Sequence, residues 1–286
     1  MNKNILSFLF LILFITVVKG QDVVNLAALE KSIHNKEANS KGMKSGNEAR
    51  IIWSENYKEK QSPIAFVYLH GFGASGREGK PVMSMLSKKY NANVYLSRLK
   101  EHGLDRDDNF INLTPENYIA SAKEALEIGK KIGKKVILVS TSTGGTLSLK
   151  LASEDASILG LVMYSPFIGL KNPAFAAIVT PEGKAGFIKM NGSEIMKQKR
   201  PREEAKYWST SYHINGYEAL IKMLISNMTP QTFSKVKIPV FVGYYYKNEE
   251  EQDQVVSVDA ILKMYDGLGT SVDKKKKSLF RKPEIM

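Results

Sequence analysis

The chain has 286 residues, of which 43% are hydrophobic and 24% charged, a balance that is ordinary for globular proteins. This length suits one large α/β domain with an inserted subdomain. The sequence contains no cysteine, which excludes disulfides and lipoprotein acylation. The formal net charge is +12, carried by scattered lysines that we interpret mainly as a solvated basic surface. Weak attraction to an anionic envelope or acidic polymer is the alternative, while nucleic acid is not expected because no aromatic and basic binding stripe is present.

Residues 1–20 are typical of a secretory signal peptide. Lys3 precedes an uncharged, mostly apolar run from Ile5 to Val18, and Gly20 is a small residue at the expected cleavage site. The run is too short for a comfortable transmembrane span. We therefore expect an exported protein, periplasmic or extracellular, with no stable membrane span after cleavage. An uncleaved N-terminal anchor is the alternative.

The first elements of the mature chain lead to a glycine-rich loop. The pattern predicts a helix over residues 24–39, a short strand over 49–53 and an apolar strand over 64–69. The last of these runs into His70-Gly71-Phe72-Gly73. A loop after a parallel strand can supply a backbone N–H to an oxyanion, and the amide of Phe72 is the candidate.

This glycine loop also satisfies a dinucleotide-binding spacing, Gly71-x-Gly73-x-x-Gly76. Such a unit requires an acidic residue about 20 positions later, at the end of the next strand. That strand is predicted over 93–97, yet no Asp or Glu lies between Lys80 and Lys100. A phosphate loop is excluded as well, because Lys80 is followed by proline rather than Ser or Thr.

The next elements alternate between helix and strand. A helix is predicted over 81–90, and a long amphipathic helix begins at Pro115 with Thr114 as its N-cap and ends by Gly133 at the latest. Strands follow at 136–141 and 159–164. Because such alternation requires crossover connections, it indicates a mainly parallel sheet covered by helices on both faces.

Ser142 lies at the tip of a tight turn between the strand at 136–141 and the helix that follows. The pattern Ser140-x-Ser142-x-Gly144 is G-x-S-x-G with serine in place of the first glycine. This geometry exposes a nucleophilic serine, and it directs the amide of Thr143 and the positive end of a helix at the group under attack.

The alternation stops over residues 167–235, which contain prolines, many aromatic residues and short helical pieces. It resumes with an apolar strand over 236–243. We interpret residues 21–166 and 236–286 as the core and 167–235 as an inserted cap over an acyl pocket. The alternative is a structural extension whose aromatic residues form only its own core.

Together the two loops resemble the α/β-hydrolase superfamily, and most closely its carboxylesterases, monoacylglycerol-lipase-like enzymes and serine aminopeptidases. The resemblance implies that Ser142 attacks the carbonyl of a small or lipid-like ester while the Phe72 and Thr143 amides hold the oxyanion. Water then releases the acyl group, and no metal or organic cofactor is implied. The alternatives are a peptidase-type member that acts on small peptides or amides, and a non-catalytic binding protein with the same fold.

In this superfamily a carboxylate follows the seventh strand. Asp253-Gln-Val-Val256 resembles the usual aspartate, one free position and two apolar residues. Asp253 is therefore the expected acid. Glu249, Glu250 and Glu251 are alternatives, although as a run they are more typical of a solvated loop.

The catalytic histidine of the family follows the acid, after the last strand. The four histidines of this chain, His34, His70, His102 and His213, all precede the expected acid. The family uses the equivalent of His70 structurally, and we expect His102 and His213 to be surface or substrate-facing groups. No catalytic histidine is thus identified, and we expect impaired activity.

The C-terminal tail suggests a reason why no catalytic histidine is found. Residues Lys274–Lys277 can be encoded by an unbroken run of adenines, and the tail after them shows no apolar strand. Read one base earlier, with permitted codon choices, that tail becomes Ile-Val-Val-Ser-Glu-Ala-Gly-Asn-His. We therefore expect that a frameshift removed the last strand, the histidine and the closing helix. The truncated chain would then expose an uncovered sheet edge and tend to aggregate.

Overall fold

A computed structural model describes residues 25–280. The first half of the chain contributes α1 (Leu26–Ala38), β1 (Arg50–Ile52), β2 (Ser62–Leu69), α2 (Lys80–Tyr90), β3 (Asn93–Leu96), α3 (Pro115–Ile132), β4 (Gly133–Thr141), α4 (Thr143–Glu154) and β5 (Ile158–Tyr164). The second half contributes α5 (Pro181–Asn191), β6 (Ile195–Lys197), α6 (Arg202–Ala205), β7 (Ser211–His213), α7 (Asn215–Asn227), α8 (Pro230–Lys235), β8 (Val240–Tyr245), α9 (Val258–Gly267) and β9 (Lys275–Phe280).

The central sheet has seven strands in the order β1-β3-β2-β4-β5-β8-β9. β1 pairs antiparallel with β3, and every other neighbouring pair in this sheet is parallel. The predicted mainly parallel sheet is thus confirmed. Because parallel strands all end at the same edge, the loops after β2 and β4 meet there, which brings the two sequence motifs together.

The strands at the centre of the sheet are buried on both faces. On one face Val67 and Leu138 pack in the main hydrophobic core with helices α3 and α4, while on the other Phe66 and Val139 pack with Met83 of α2. Burial on two sides explains why β2 and β4 read as continuous apolar runs rather than alternating patterns.

Helix α3 begins as the sequence predicts. The Thr114 side chain accepts a hydrogen bond from the Asn117 amide at 3.2 Å, and the Asn117 side chain accepts one from the Thr114 amide at 3.0 Å. Pro115 occupies the first helical turn, where its lack of an N–H costs nothing. This reciprocal cap fixes the start of the helix that returns the chain to β4.

Residues 167–235, which we call the cap, lie between β5 and β8 in the chain and contribute no strand to the central sheet. Besides the predicted helices, this cap contains an antiparallel hairpin of β6 and β7, which the sequence pattern did not predict. The cap is hydrogen bonded to the core at several points. The Lys44 ammonium donates to the carbonyls of Ala205 and Trp208, and the Ser209 amide donates to the carbonyl of Gly73.

A second attachment point involves Asn215, the first residue of α7. Its side-chain amide nitrogen donates to the backbone carbonyls of Phe110, Ile111 and Leu113 in the core. A single cap residue therefore satisfies several carbonyl groups of the loop that precedes α3.

The expectation that the last strand of the sheet is lost is wrong. The last strand was expected to be lost, but the lysine tract itself forms β9, which pairs in parallel with β8 from Val240↔Lys275 to Tyr245↔Phe280. Sheet pairing uses backbone groups, so a polar run can serve at an edge where few side chains are buried. The expected loss of the closing helix, the part of the shifted tail after residue 280 and the signal peptide expected before residue 25 all concern positions outside the described residues.

Candidate active site

Ser142 occupies a strained turn between β4 and α4. Its backbone angles are φ 50° and ψ −117°, a region that residues with a Cβ rarely adopt. The turn is fixed by hydrogen bonds from the Ser142 amide to the Tyr164 carbonyl and from the Phe167 amide to the Ser142 carbonyl. Strain of this kind is typical of the turn that exposes a nucleophilic serine.

The turn also packs very closely against β2. A Cβ added at Gly144 would lie 1.9 Å from the Leu69 carbonyl oxygen, so only glycine fits this position. Ser140, which stands at the first glycine position of the usual motif, is fully buried without rearranging the turn. The first glycine position of the motif therefore accepts a serine, Ser140. The last position, Gly144, has no room for one.

Two backbone amides are available beside Ser142. Among residues 25–280, neither the Phe72 N–H nor the Thr143 N–H donates a hydrogen bond, and the Ser142 hydroxyl makes none either. All three residues line one cavity. The predicted pair of oxyanion donors therefore lies with the predicted nucleophile in one pocket.

Glu78 is a site residue that sequence reasoning missed. One carboxylate oxygen accepts hydrogen bonds from the Gly71 amide at 3.0 Å and from the Tyr68 hydroxyl at 2.9 Å. The Tyr68 hydroxyl in turn lies 2.8 Å from the Thr141 hydroxyl, next to Ser142. Desolvation raises the pKa of Glu78. The only signal in the sequence was an acidic residue inside a glycine-rich loop.

His70 is the first residue of the glycine-rich loop over residues 70–73, which we call the oxyanion loop. The ring is fully buried, its Nε2 accepts a hydrogen bond from the Leu99 amide at 3.1 Å, and its Nδ1 lies 2.9 Å from the Gly71 carbonyl. Burial lowers the pKa of His70 to about 4. The ring is therefore neutral at neutral pH and is engaged on both nitrogens, consistent with the structural role expected for it.

The expectation that His102 faces the surface or the substrate is wrong. The residue is fully buried, with its ring centroid 5.0 Å from that of His70 and 4.6 Å from that of Phe110. Its Nε2 lies 3.2 Å from the Tyr118 hydroxyl. Burial lowers the pKa of His102 well below its ordinary value. Polar residues surround His102 in the sequence, so the sequence pattern did not indicate that the residue is buried.

The remaining histidines also lie away from Ser142. His213 ends β7, where its Nε2 lies 3.3 Å from the Glu194 carboxylate and its Nδ1 accepts from the Asn215 amide. His34 is an exposed residue of α1. No histidine of residues 25–280 lines the cavity that contains Ser142.

Asp253 lies in the loop between β8 and α9. Its Oδ1 accepts hydrogen bonds from the amides of Val255 and Val256, at 2.9 and 3.0 Å. The neighbouring residues Gln254 and Val255 line the Ser142 cavity. The structure thus brings this loop to the pocket, and the catalytic role of Asp253 stays a prediction.

The alternative acids are engaged within their own loop. Glu249 accepts from the Tyr246 hydroxyl and Glu251 from the Tyr245 hydroxyl, both at 2.9 Å. Glu250 is exposed. These contacts fit the interpretation of the run as a solvated loop.

The cavity at Ser142 has a volume of about 500 Å³, a size that suits a small-molecule ligand. Its walls are largely aromatic and come from both core and cap: Phe72, Phe167, Phe175, Trp208, Tyr212 and Tyr217. Gln198 and Arg200 of the cap add polar groups. A larger cleft of about 820 Å³ lies between the start of α3 and α7, but it contains none of these groups.

Residues 25–280 contain neither a cluster of metal ligands nor a membrane-spanning helix. No group of three His, Cys, Asp or Glu residues there is arranged to hold a metal ion. Within the same range, no helix combines the length and apolar character needed to cross a bilayer.

No family model matches the chain. A thermostable monoacylglycerol lipase from Bacillus sp. (strain H-257) is 28% identical over 131 residues, which are 46% of this chain and 51% of the lipase. The match therefore spans about half the length of that relative.

Solved structures agree over most of the chain. A metagenome-derived lipolytic enzyme superposes with a TM-score of 0.67 at 16% identity, over 84% of this chain and 89% of that one. The monoacylglycerol lipase of Paleococcus ferrophilus gives a TM-score of 0.55 at 16% identity, over 81% and 87%. The sheet order, the turn at Ser142 and these superpositions define the α/β-hydrolase fold. The chain therefore has the α/β-hydrolase fold.

Proposed function

We propose that this protein is a serine hydrolase that cleaves carboxylic esters at Ser142. The observation that carries the proposal is the strained turn that presents the Ser142 hydroxyl to a cavity shared with two free amides, those of Phe72 and Thr143. The hydroxyl oxygen bonds to the ester carbonyl carbon, its proton passes to water in the cavity, and the carbonyl electron pair moves to the oxygen, which becomes the oxyanion. The alcohol departs with a proton, and water then hydrolyses the acyl-enzyme.

The substrate class follows from the cavity walls. Aromatic side chains around Ser142 favour an ester with an apolar acyl or aromatic part, and Gln198 and Arg200 can hydrogen bond to a polar end. This chain is similar to a monoacylglycerol lipase and to a lipolytic enzyme, which supports a lipid-like ester as the substrate. A peptidase would share the same nucleophile. Parallel assays of matched nitrophenyl esters and nitroanilides separate the two, since only a peptidase cleaves the anilides.

A covalent serine probe tests the nucleophile directly. We expect a fluorophosphonate to label the wild-type chain and Ser140→Ala, and not Ser142→Ala. Ser140 is a suitable control because it lies two residues away, and removal of its buried hydroxyl leaves the turn intact. Labelling of Ser142→Ala, or loss of labelling in Ser140→Ala alone, would show that another residue is the nucleophile.

Asp253 is the proposed acid, and low turnover is proposed for this chain. The two most buried histidines hold the oxyanion loop and its surroundings, so neither is free to take the proton of Ser142. Removal of one member of a catalytic triad leaves only residual activity, about 10³-fold to 10⁴-fold above the reaction in water. We expect a fluorophosphonate to label Ser142 slowly. We also expect ester turnover to be slower than in a hydrolase with a complete triad.

The second candidate function is ligand binding without turnover. It is favoured by the cavity itself, which is lined by aromatic side chains and, among the described residues, by no histidine. A binding protein would take up nitrophenyl esters without releasing nitrophenol and would leave the probe unreacted. Equilibrium dialysis beside the labelling experiment distinguishes the two functions.

We propose further that the protein is exported and that cleavage occurs after Gly20. The sequence of residues 1–20 supports this proposal. Intact-mass measurement of the protein recovered from the envelope or medium should give a chain that begins at Gln21. A product that retains Met1 and partitions into detergent contradicts it.

We also propose that the lysine tract at Lys274–Lys277 marks a frameshift. The shifted reading places Ile-Val-Val at the last positions of β9, where Ser278–Phe280 now stand, and β-branched residues are better strand formers. It places a histidine at position 286 of the sequence. Resequencing of the tract tests this, and a confirmed tract whose shifted frame lacks histidine in the next few codons overturns it.

A further inference from the structure

Lysines gather at one edge of the central sheet, opposite the cavity that contains Ser142. Parallel strands begin at this edge, and the helices that return the chain end there: α2 before β3, α3 before β4 and α8 before β8. Cations are favoured at helix C-termini, which accounts for part of the enrichment. The exposed lysines at this edge are Lys58, Lys60, Lys88, Lys89, Lys131, Lys134, Lys135, Lys235, Lys237, Lys274 and Lys276.

None of these lysines has an ion-pair partner among the described residues, a property that they share with Lys189, Lys197 and Lys199 of the cap. Elsewhere, pairs such as Lys36–Glu124 and Lys222–Glu218 bring ammonium and carboxylate within 2.6 Å. For the exposed edge lysines, no carboxylate of residues 25–280 lies within 4.0 Å. The edge therefore carries a net positive charge, which the neighbouring carboxylates of Glu59 and Asp273 reduce without cancelling.

Large apolar side chains are exposed among these lysines. Tyr90 at the end of α2 is 55% exposed, Leu159 at the start of β5 is 38% exposed, and Val272 just before β9 is 83% exposed. Aromatic and aliphatic side chains interspersed with lysines are typical of surfaces that rest on a lipid headgroup layer.

We propose that this edge, which we call the lysine edge, binds the surface of an anionic phospholipid bilayer and leaves the Ser142 cavity facing away from it. Every unpaired cation on the lysine edge is lysine, which acts as a point charge rather than as a geometric ligand for phosphate. Single exposed apolar residues suit shallow contact with a headgroup layer better than stacking on nucleic-acid bases. The inference is independent of the proposed catalysis.

Vesicle co-sedimentation of the full chain tests the proposal. The vesicles are pure phosphatidylcholine, or phosphatidylcholine and phosphatidylglycerol at about 7:3, at low and at high salt. The test variant is Lys134→Glu/Lys135→Glu/Lys276→Glu. The control, Lys189→Glu/Lys197→Glu/Lys199→Glu, makes the same change of charge at exposed cap positions. Both variants carry the same N-terminal apolar segment, so its contribution cancels.

We expect anionic vesicles to bind the wild type and the cap control, and the edge variant to bind at least about 100-fold more weakly. Binding should also fall sharply at high salt, because the Debye length shortens. Equal binding to neutral vesicles, or equal weakening by the cap control, overturns the proposal. So does retention on heparin or duplex DNA without vesicle binding, which makes a soluble polyanion the partner. A second edge variant, Lys58→Glu/Lys60→Glu/Lys237→Glu, must behave like the first.

Discussion

Replacement of Ser142 by glycine should stabilise the fold while it removes the proposed nucleophile. Ser142 has φ 50°, and a residue with a Cβ held in such a region costs about 1–3 kcal/mol. Glycine adopts this conformation freely, but it also gains about 0.5–1 kcal/mol of backbone entropy in the unfolded chain. The net gain is about 1 kcal/mol, which for a domain of this size raises the melting temperature by about 2–4 °C.

The matched control is Ser142→Ala, which keeps the Cβ and the strained backbone but removes the hydroxyl. Differential scanning calorimetry of the three proteins separates the strain from the loss of the side chain. Ser142→Gly should melt above Ser142→Ala, and neither should react with a fluorophosphonate. If Ser142→Gly melts at or below Ser142→Ala, the turn stores no strain and the reasoning fails.

Three further effects follow from packing, charge and burial. Gly144→Ala should destabilise the protein by about 3 kcal/mol or more, because the new Cβ would overlap the Leu69 carbonyl oxygen at 1.9 Å. Glu37→Ala should cost about 3–5 kcal/mol in urea unfolding, because it removes the carboxylate 2.5 Å from the buried Arg98 guanidinium and leaves that charge only neutral hydrogen-bond acceptors, the His102 carbonyl and the Ser40 hydroxyl. Burial holds the pKa of His70 at about 4 against 6.5 ordinarily, so the unfolded chain binds more protons below pH 6.5. The free energy of unfolding should therefore fall by about 3 kcal/mol as the pH drops from 6.5 to 4.

Controls for these variants lie elsewhere in the chain. Gly186→Ala, in α5 with nothing within 4 Å of the new Cβ, should be neutral or stabilising, and a loss as large as that of Gly144→Ala would contradict the packing argument. Lys36→Ala removes only an exposed ion pair and should change the unfolding free energy by less than about 1 kcal/mol. An unfolding free energy that stays flat between pH 6.5 and 4 would contradict the assignment of His70 as a buried neutral ring.

The fold was predictable wherever burial left a pattern in the sequence. β2 and β4 read as apolar runs because helices cover both of their faces, and α3 was recognised by the cap that Thr114 and Pro115 provide. β9 left no such pattern, since its lysines are held by backbone pairing to β8 at an exposed edge. The strands of the β6 and β7 hairpin have only three residues each and are mostly only partly buried, so neither periodicity nor turn residues indicated them.

The candidate site was predictable only in its local parts. Ser142, Phe72 and Thr143 follow from short motifs whose geometry is set within a few residues, and the structure places all three at one cavity. Glu78 and His102 depend on contacts between loops that lie far apart in the sequence. A local pattern of polar residues cannot distinguish a buried histidine from a solvated one, which is why His102 was misplaced.

The hydrogen bonds between cap and core have a consequence for how substrate reaches the cavity. Lys44, Asn215 and the Gly73 carbonyl tie the cap to the core at separate points, so a hinged opening of the whole layer would break all of these bonds at once. Entry is then left to movements of single side chains at the rim, such as Val255, which is 68% exposed. A cap that is fixed in this way admits only ligands narrow enough to pass the rim of the cavity, so ligands are selected by width before the reaction. Turnover should accordingly rise smoothly with the concentration of dissolved ester and show no jump where the ester forms micelles.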